Sequence, residues 1–104
     1  MNELNENDFD ARVSSGLSLV DFGAEWCGPC KALVPTMEKI SSAYEGRVAV
    51  YSVDIDTSPA LAAKNAVMSV PTLILFKDGK PVDRVVGLIS ERDLRSKIDQ
   101  QIGS

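Results

Sequence analysis

The sequence predicts an α/β sandwich, a central mixed β-sheet with helices on both faces. Three observations carry that expectation. A short, largely apolar strand pattern at Leu17–Gly23 runs into a long amphipathic helical pattern and then into a second apolar, β-branched strand, which makes a β–α–β unit. A short helical segment follows. Two further strand patterns are then joined through Asp78-Gly79, a two-residue signal for an antiparallel hairpin. A crossover helix joins parallel strands and a tight hairpin joins antiparallel ones, so the sheet is mixed.

Each element has its own local reason. Near residues 7–13, Phe9 and Val13 stand at helical spacing, and Ser15-Gly16 follows as a stop. Over residues 28–44 the apolar positions Leu33, Val34, Met37, Ile40 and Tyr44 mark one face of a long helix, closed by Gly46. Residues 47–53 form the next strand. Ser58-Pro59 reads as an N-cap followed by proline at the first helical position, opening a short helix toward Asn65. Residues 73–76 and 82–86 are the hairpin strands, and Pro81 suits an edge or a strand start. Ser90-Glu91-Arg92-Asp93 begins the last helix in capping-box style, with Leu94, Ile98 and Ile102 down one face.

Length and composition narrow the function. The 104 residues are expected to form one domain, residues 1–104, large enough to fold without metal or disulfide staples. Fifteen acidic against 11 basic side chains, a net charge of −4, provide no basic field for a phosphate backbone, so no nucleic-acid partner is expected. No apolar run approaches the ~20 residues that cross a bilayer, so no membrane partner is expected. The acidic start, Met1-Asn2-Glu3-Leu4-Asn5-Glu6, lacks the layout of a secretory signal, and the expected location is cytoplasmic. The absence of histidine excludes every His-dependent triad and metal site. The ordinary surface composition leads us to expect a monomer.

The two cysteines, Cys27 and Cys30, are three positions apart. Such a pair supplies two of the four ligands that a structural zinc usually takes, and no metal site is expected. A bridge closing so short a loop restrains the unfolded chain very little. Redox chemistry remains. The pair lies where the first β–α–β unit turns from strand to helix, so Cys27 falls at or just before a helix N-terminus. Unpaired N–H groups and the helix dipole there favour a thiolate. Cys30, one turn further in, is close enough to attack a mixed disulfide at Cys27, and Gly28-Pro29 keeps the link short and stiff.

The string Trp26-Cys27-Gly28-Pro29-Cys30-Lys31, preceded by Val20-Asp21-Phe22, resembles the active-site segment of the thioredoxin family. Pro35, Val70-Pro71-Thr72, Gly79 and Gly87 extend the resemblance in register over nearly the whole chain. It implies a thioredoxin fold and a general protein disulfide reductase. Cys27 would be the exposed nucleophile, Cys30 the buried resolving thiol, and their reversible disulfide the redox centre, with no bound cofactor. Partners would be disulfide-containing target proteins and a thioredoxin reductase, which passes on electrons from NADPH (ferredoxin in some lineages). Pro71 would be cis and, with Val70, would offer backbone groups to an extended substrate segment. The substrate surface would comprise Trp26, Gly28, Pro29, Val70, Pro71 and Gly87.

Other residues have two readings. Trp26 is either core or a surface aromatic beside the thiols, and its place at a strand end favours the surface. Asp21, amid Leu19, Val20 and Phe22, would be costly to bury ionised, and burial would raise its pKa. That suits a proton acceptor for Cys30; the alternative is an Asp bonded to backbone at a strand end. Pro35 reads as a structural bend and Lys31 as a solvated side chain. Met68 and Ser69 are either partner contacts or plain loop. Two positions depart from the family pattern: Gly23 stands where many members carry Trp, and Ser52 where typical members carry Lys. Without that Lys, Asp21 is expected to hold its proton to higher pH. Competing roles are a dithiol oxidant or isomerase, disfavoured by Gly28-Pro29; a glutaredoxin, for which no cationic groove is evident; and a clamp within a larger enzyme, which would survive loss of both cysteines.

Overall fold

The structure, a computed structural model, describes residues 1–103. Five strands form one sheet in the order β1-β3-β2-β4-β5, where β1 is Asn2–Glu3, β2 Leu17–Gly23, β3 Val48–Asp54, β4 Thr72–Lys77 and β5 Lys80–Val86. Four helices accompany it: α1 Phe9–Val13, α2 Gly28–Ala43, α3 Pro59–Lys64 and α4 Glu91–Ile102. The central strand β2 pairs parallel with β3 and antiparallel with β4, so the sheet is mixed as the sequence predicts.

Alternation along β2 divides the interior in two. Leu19 joins Leu33, Met37 and Ile40 of α2 and Leu94 and Ile98 of α4 on one face. Val20 and Phe22 join Phe9 and Val13 of α1 and Leu61 of α3 on the other, where the Phe9 ring stands edge-on to Phe76 at 5.6 Å. Asp21 has the parity of Leu19 and therefore belongs to the α2 face. That parity brings the acid toward the helix that carries Cys30.

The hairpin between β4 and β5 turns through Asp78 (φ 50°) and Gly79 (φ 83°), the two successive positive φ angles of a type I′ turn. Its tip is tied to the entry of β2: Asp78 N–H donates to the Gly16 carbonyl at 2.9 Å, and Gly16 N–H donates to Asp78 Oδ1 at 2.8 Å. Pro81 lies within β5, opposite Phe76, where the register shifts. A residue with no N–H is accommodated there because β5 is an edge.

Several local expectations need correction. The short parallel strand β1 has no counterpart in the sequence reading, because two polar residues offer no periodicity. Helix α1 starts at Phe9, since residues 5–8 form a turn in which Asn5 N–H donates to Asp8 Oδ1 at 2.8 Å. Strand β3 lies one residue further on than residues 47–53. Ser58 precedes α3 but makes no side-chain cap; its residue is buried and its backbone N–H donates to Asp54 O. The hairpin strands extend to the turn itself. Ile102 and Val34 are partly exposed, the first because α4 ends there and the second because it borders a cleft described below. Ser90 does cap α4, with Oγ accepting from Asp93 N–H at 3.1 Å. Among the described residues, no helix is long and apolar enough to cross a membrane.

Candidate active site

The end of β2 and the start of α2 build the centre of the site. After Gly23 the chain leaves the sheet, and Cys27 N–H donates to the Ala24 carbonyl at 3.2 Å. Cys27 then takes an extended backbone (φ −91°, ψ 111°) as the N-cap of α2, with Pro29 in the first turn. Its Sγ accepts from the Cys30 N–H at 3.2 Å. One of the helix's unpaired donors is thus aimed at this sulfur, which stabilises negative charge on it.

Cys27 and Cys30 are joined as a disulfide with their Cα atoms 5.3 Å apart. Ala24 packs with the two cysteines, and Ile55 and Val70 close over them. Cys27 is 5% exposed and Cys30 7%. Both residues are thus buried to a similar degree.

Trp26 lies on the surface, 68% exposed, and its indole N–H donates to Asp56 Oδ2 at 2.8 Å. Asp56 is itself fixed by its N–H donating to Asp54 Oδ1 at 2.8 Å. The sequence reading missed Asp56, an acid 30 positions from the Trp with no local motif to mark it.

The Val70-Pro71 bond is cis. Val70 packs on the cysteine cluster, while Pro71 is buried and its carbonyl accepts from Gly87 N–H at 2.9 Å. That bond places Gly87, from beyond β5, beside the proline. Gly28 and Pro29 are exposed at the head of α2. Met68, 93% exposed, precedes this segment, and Leu88, also well exposed, follows Gly87. The expected substrate residues thus gather around the disulfide. Leu88, exposed and next to Gly87, is an apolar residue that the sequence reading left out.

Asp21 is buried on the α2 face, and its Oδ1 has no hydrogen-bond partner among the described residues. Burial pushes its pKa up to about 6. Gly23 connects it to the disulfide: a Cβ there would stand 3.4 Å from Cys30 Sγ and 3.9 Å from Asp21 Oδ1. Ser52 is the direct neighbour of Asp21 on β3, and no cation occupies that position.

A mixed sheet with helices on both faces and a Cys-x-x-Cys pair capping a helix beside a cis-proline defines a dithiol–disulfide oxidoreductase. The Thioredoxin family model matches residues 1–100. Thioredoxins of Staphylococcus aureus strains Mu50 / ATCC 700699, MW2 and N315 are each 47% identical over 100 residues, covering 96% of this chain and 96% of theirs. The chain belongs to the thioredoxin family and is a protein disulfide reductase with a redox-active disulfide.

Proposed function

We propose that Cys27 is the nucleophile of this reductase, Cys30 the resolving thiol and Asp21 the acceptor of the Cys30 proton. In the reduced protein the Cys27 thiolate attacks one sulfur of a target disulfide. A mixed disulfide forms at Cys27 and the other target sulfur leaves as a thiolate. Cys30 then passes its proton to Asp21 and attacks Cys27 Sγ, which releases the second target thiolate. The target gains two electrons, and the Cys27–Cys30 disulfide holds the matching oxidation.

The observation that carries these assignments is the N-cap position of Cys27, with its sulfur accepting the Cys30 N–H. A helix N-terminus lowers a thiol pKa, so Cys27 is the better nucleophile of the pair. Asp21 is buried on the same face, with a pKa high enough to take a proton near neutrality. The surface of Trp26, Gly28, Pro29, Val70, Pro71 and Gly87 receives an extended segment of the target. A thioredoxin reductase returns the electrons, drawing on NADPH, and the protein acts in the cytoplasm as a single-domain monomer.

The test is reduction of a disulfide-bonded protein with NADPH and a thioredoxin reductase. Cys30→Ser should accumulate a covalent mixed disulfide with the target, and Cys27→Ser should neither turn over nor trap. Turnover by Cys27→Ser, or trapping only through Cys30, would reverse the assignment.

A further inference from the structure

An open cleft of about 200 Å³ borders the Cys30 side of the site, between the β1–β3 edge of the sheet and the first turns of α2. Asp21, Gly23, Cys30, Val34, Ser52 and Val53 line it. Among the described residues its lining includes none of Trp26, Cys27 or Val70, so it is separate from the surface proposed for targets.

Three features of the cleft point to a ligand. At about 30 Å³ per water, its volume suits a handful of waters or one small organic molecule. Asp21, 6% exposed, presents a carboxylate whose Oδ1 has no partner among the described residues, and a buried carboxylate calls for a donor or a cation. The cleft is also negative: among the described residues Glu3, Glu25 and Asp54 share its lining with Asp21, against the basic side chain of Lys31. Such a concentration of one sign in a concave surface attracts the opposite charge. Val34 lines the cleft together with this acidic group, and an apolar wall beside a carboxylate suits a cation that carries a carbon body.

We propose that this cleft binds a small organic ammonium ion, its charge set against Asp21 and a short apolar or aryl body against Val34 and Cys30. Gly23 leaves the space open over both reactive groups, since the missing Cβ would have touched Cys30 Sγ and approached Asp21 Oδ1. Ser52 leaves open the place from which a side-chain cation would have reached Asp21. A bound ammonium would favour the ionised form of Asp21 and meet Cys30 from behind the disulfide. The proposal does not depend on the part assigned to Asp21 in proton transfer, and its readouts are of binding alone.

The experiment titrates the oxidised full chain with benzylammonium, benzyl alcohol or benzoate at matched ionic strength, read by amide and carboxyl NMR. Benzylammonium should give saturable shifts at Gly23, Ala24 and Ser52 and lower the Asp21 titration midpoint. The alcohol and the benzoate should bind at least about tenfold more weakly, as should benzylammonium to Ser52→Lys. Benzylammonium affinity should also fall as pH drops through about 6, where Asp21 takes up its proton. Lack of saturable shifts with benzylammonium in the wild-type chain overturns the proposal. So does equal binding of the alcohol, which means an apolar cleft only. An unmoved Asp21 midpoint with shifts confined to Glu3, Glu25 and Asp54 overturns it too, as diffuse ion attraction.

Discussion

Asp21 and Ser52 face each other in register across the parallel β2–β3 ladder, and the acid's Oδ1 is left without a partner among the described residues. Adjacent strands in register project matched residues to the same face, so a longer cationic side chain at position 52 would reach toward the carboxylate. Ser52→Lys is expected to lower the Asp21 pKa from about 6 by roughly one unit or more, as an opposite charge within a few ångströms does. Carboxyl NMR titration of both proteins checks this. An unchanged or raised pKa in the Lys variant would sink the idea.

The same carboxyl makes stability depend on pH. Its folded pKa, about 6, lies above its ordinary value of 3.8. The folded state therefore holds this proton more tightly than the unfolded state does. The group's favourable contribution is complete below about pH 4 and is lost as pH rises through about 6. Asp21→Asn, which mimics the protonated acid, should stabilise the oxidised protein at pH 7 by about 2–3 kcal/mol, since a tenfold change in proton affinity corresponds to roughly 1.4 kcal/mol. At pH 4 the gain should nearly vanish. Urea unfolding at both pH values gives the comparison, and equal gains at the two would remove burial of the charge as the cause.

Position 23 also bears on the electron affinity of the disulfide. With Gly23 and Ser52 as tolerated variation, the Cys27–Cys30 couple should equilibrate within ~30 mV of the reference thioredoxin value, about −270 mV. Equilibration against defined dithiothreitol ratios measures it. A value near the isomerase range, about −180 mV, would reverse the expected direction of electron flow.

Tyr44 closes α2 and reaches across to α4, its hydroxyl donating to Asp99 Oδ1 at 2.6 Å. Burial and the neighbouring carboxylate raise its pKa, so it remains a donor well above neutrality. Arg47 and Arg95 lie over its ring, at 4.9 and 5.9 Å. Tyr44→Phe keeps the ring contacts and removes one hydrogen bond to a charged group, for an expected loss of about 1–2 kcal/mol. Chemical denaturation measures it; a loss below about 0.3 kcal/mol would mean that water serves Asp99 equally well.

Legibility in the sequence followed the range of the forces involved. β2 and α2 were readable because their apolar periods are long and their ends are marked by Gly23, Pro29 and Gly46. The type I′ turn was readable because Asp78-Gly79 encodes it in two residues. The pairing of β1 with β3 was not, since two polar residues gain their place only from a strand far along the chain. Within the site, the turn from strand pattern to helix pattern put Cys27 at or just before the helix N-terminus, and it is the N-cap. The link from Trp26 to Asp56 and the similar burial of Cys27 and Cys30 depend on how separate segments close together, which no local pattern records.

The two borders of the sheet have a further consequence. Unpaired strand edges are templates on which other chains can add, which is the starting point of edge-to-edge aggregation. At one border β1 offers only two residues. At the other, β5 carries Pro81 at a break in register and charged Lys80, Asp83 and Arg84 along its length. The outermost strands thus give copies of this chain little regular edge on which to add.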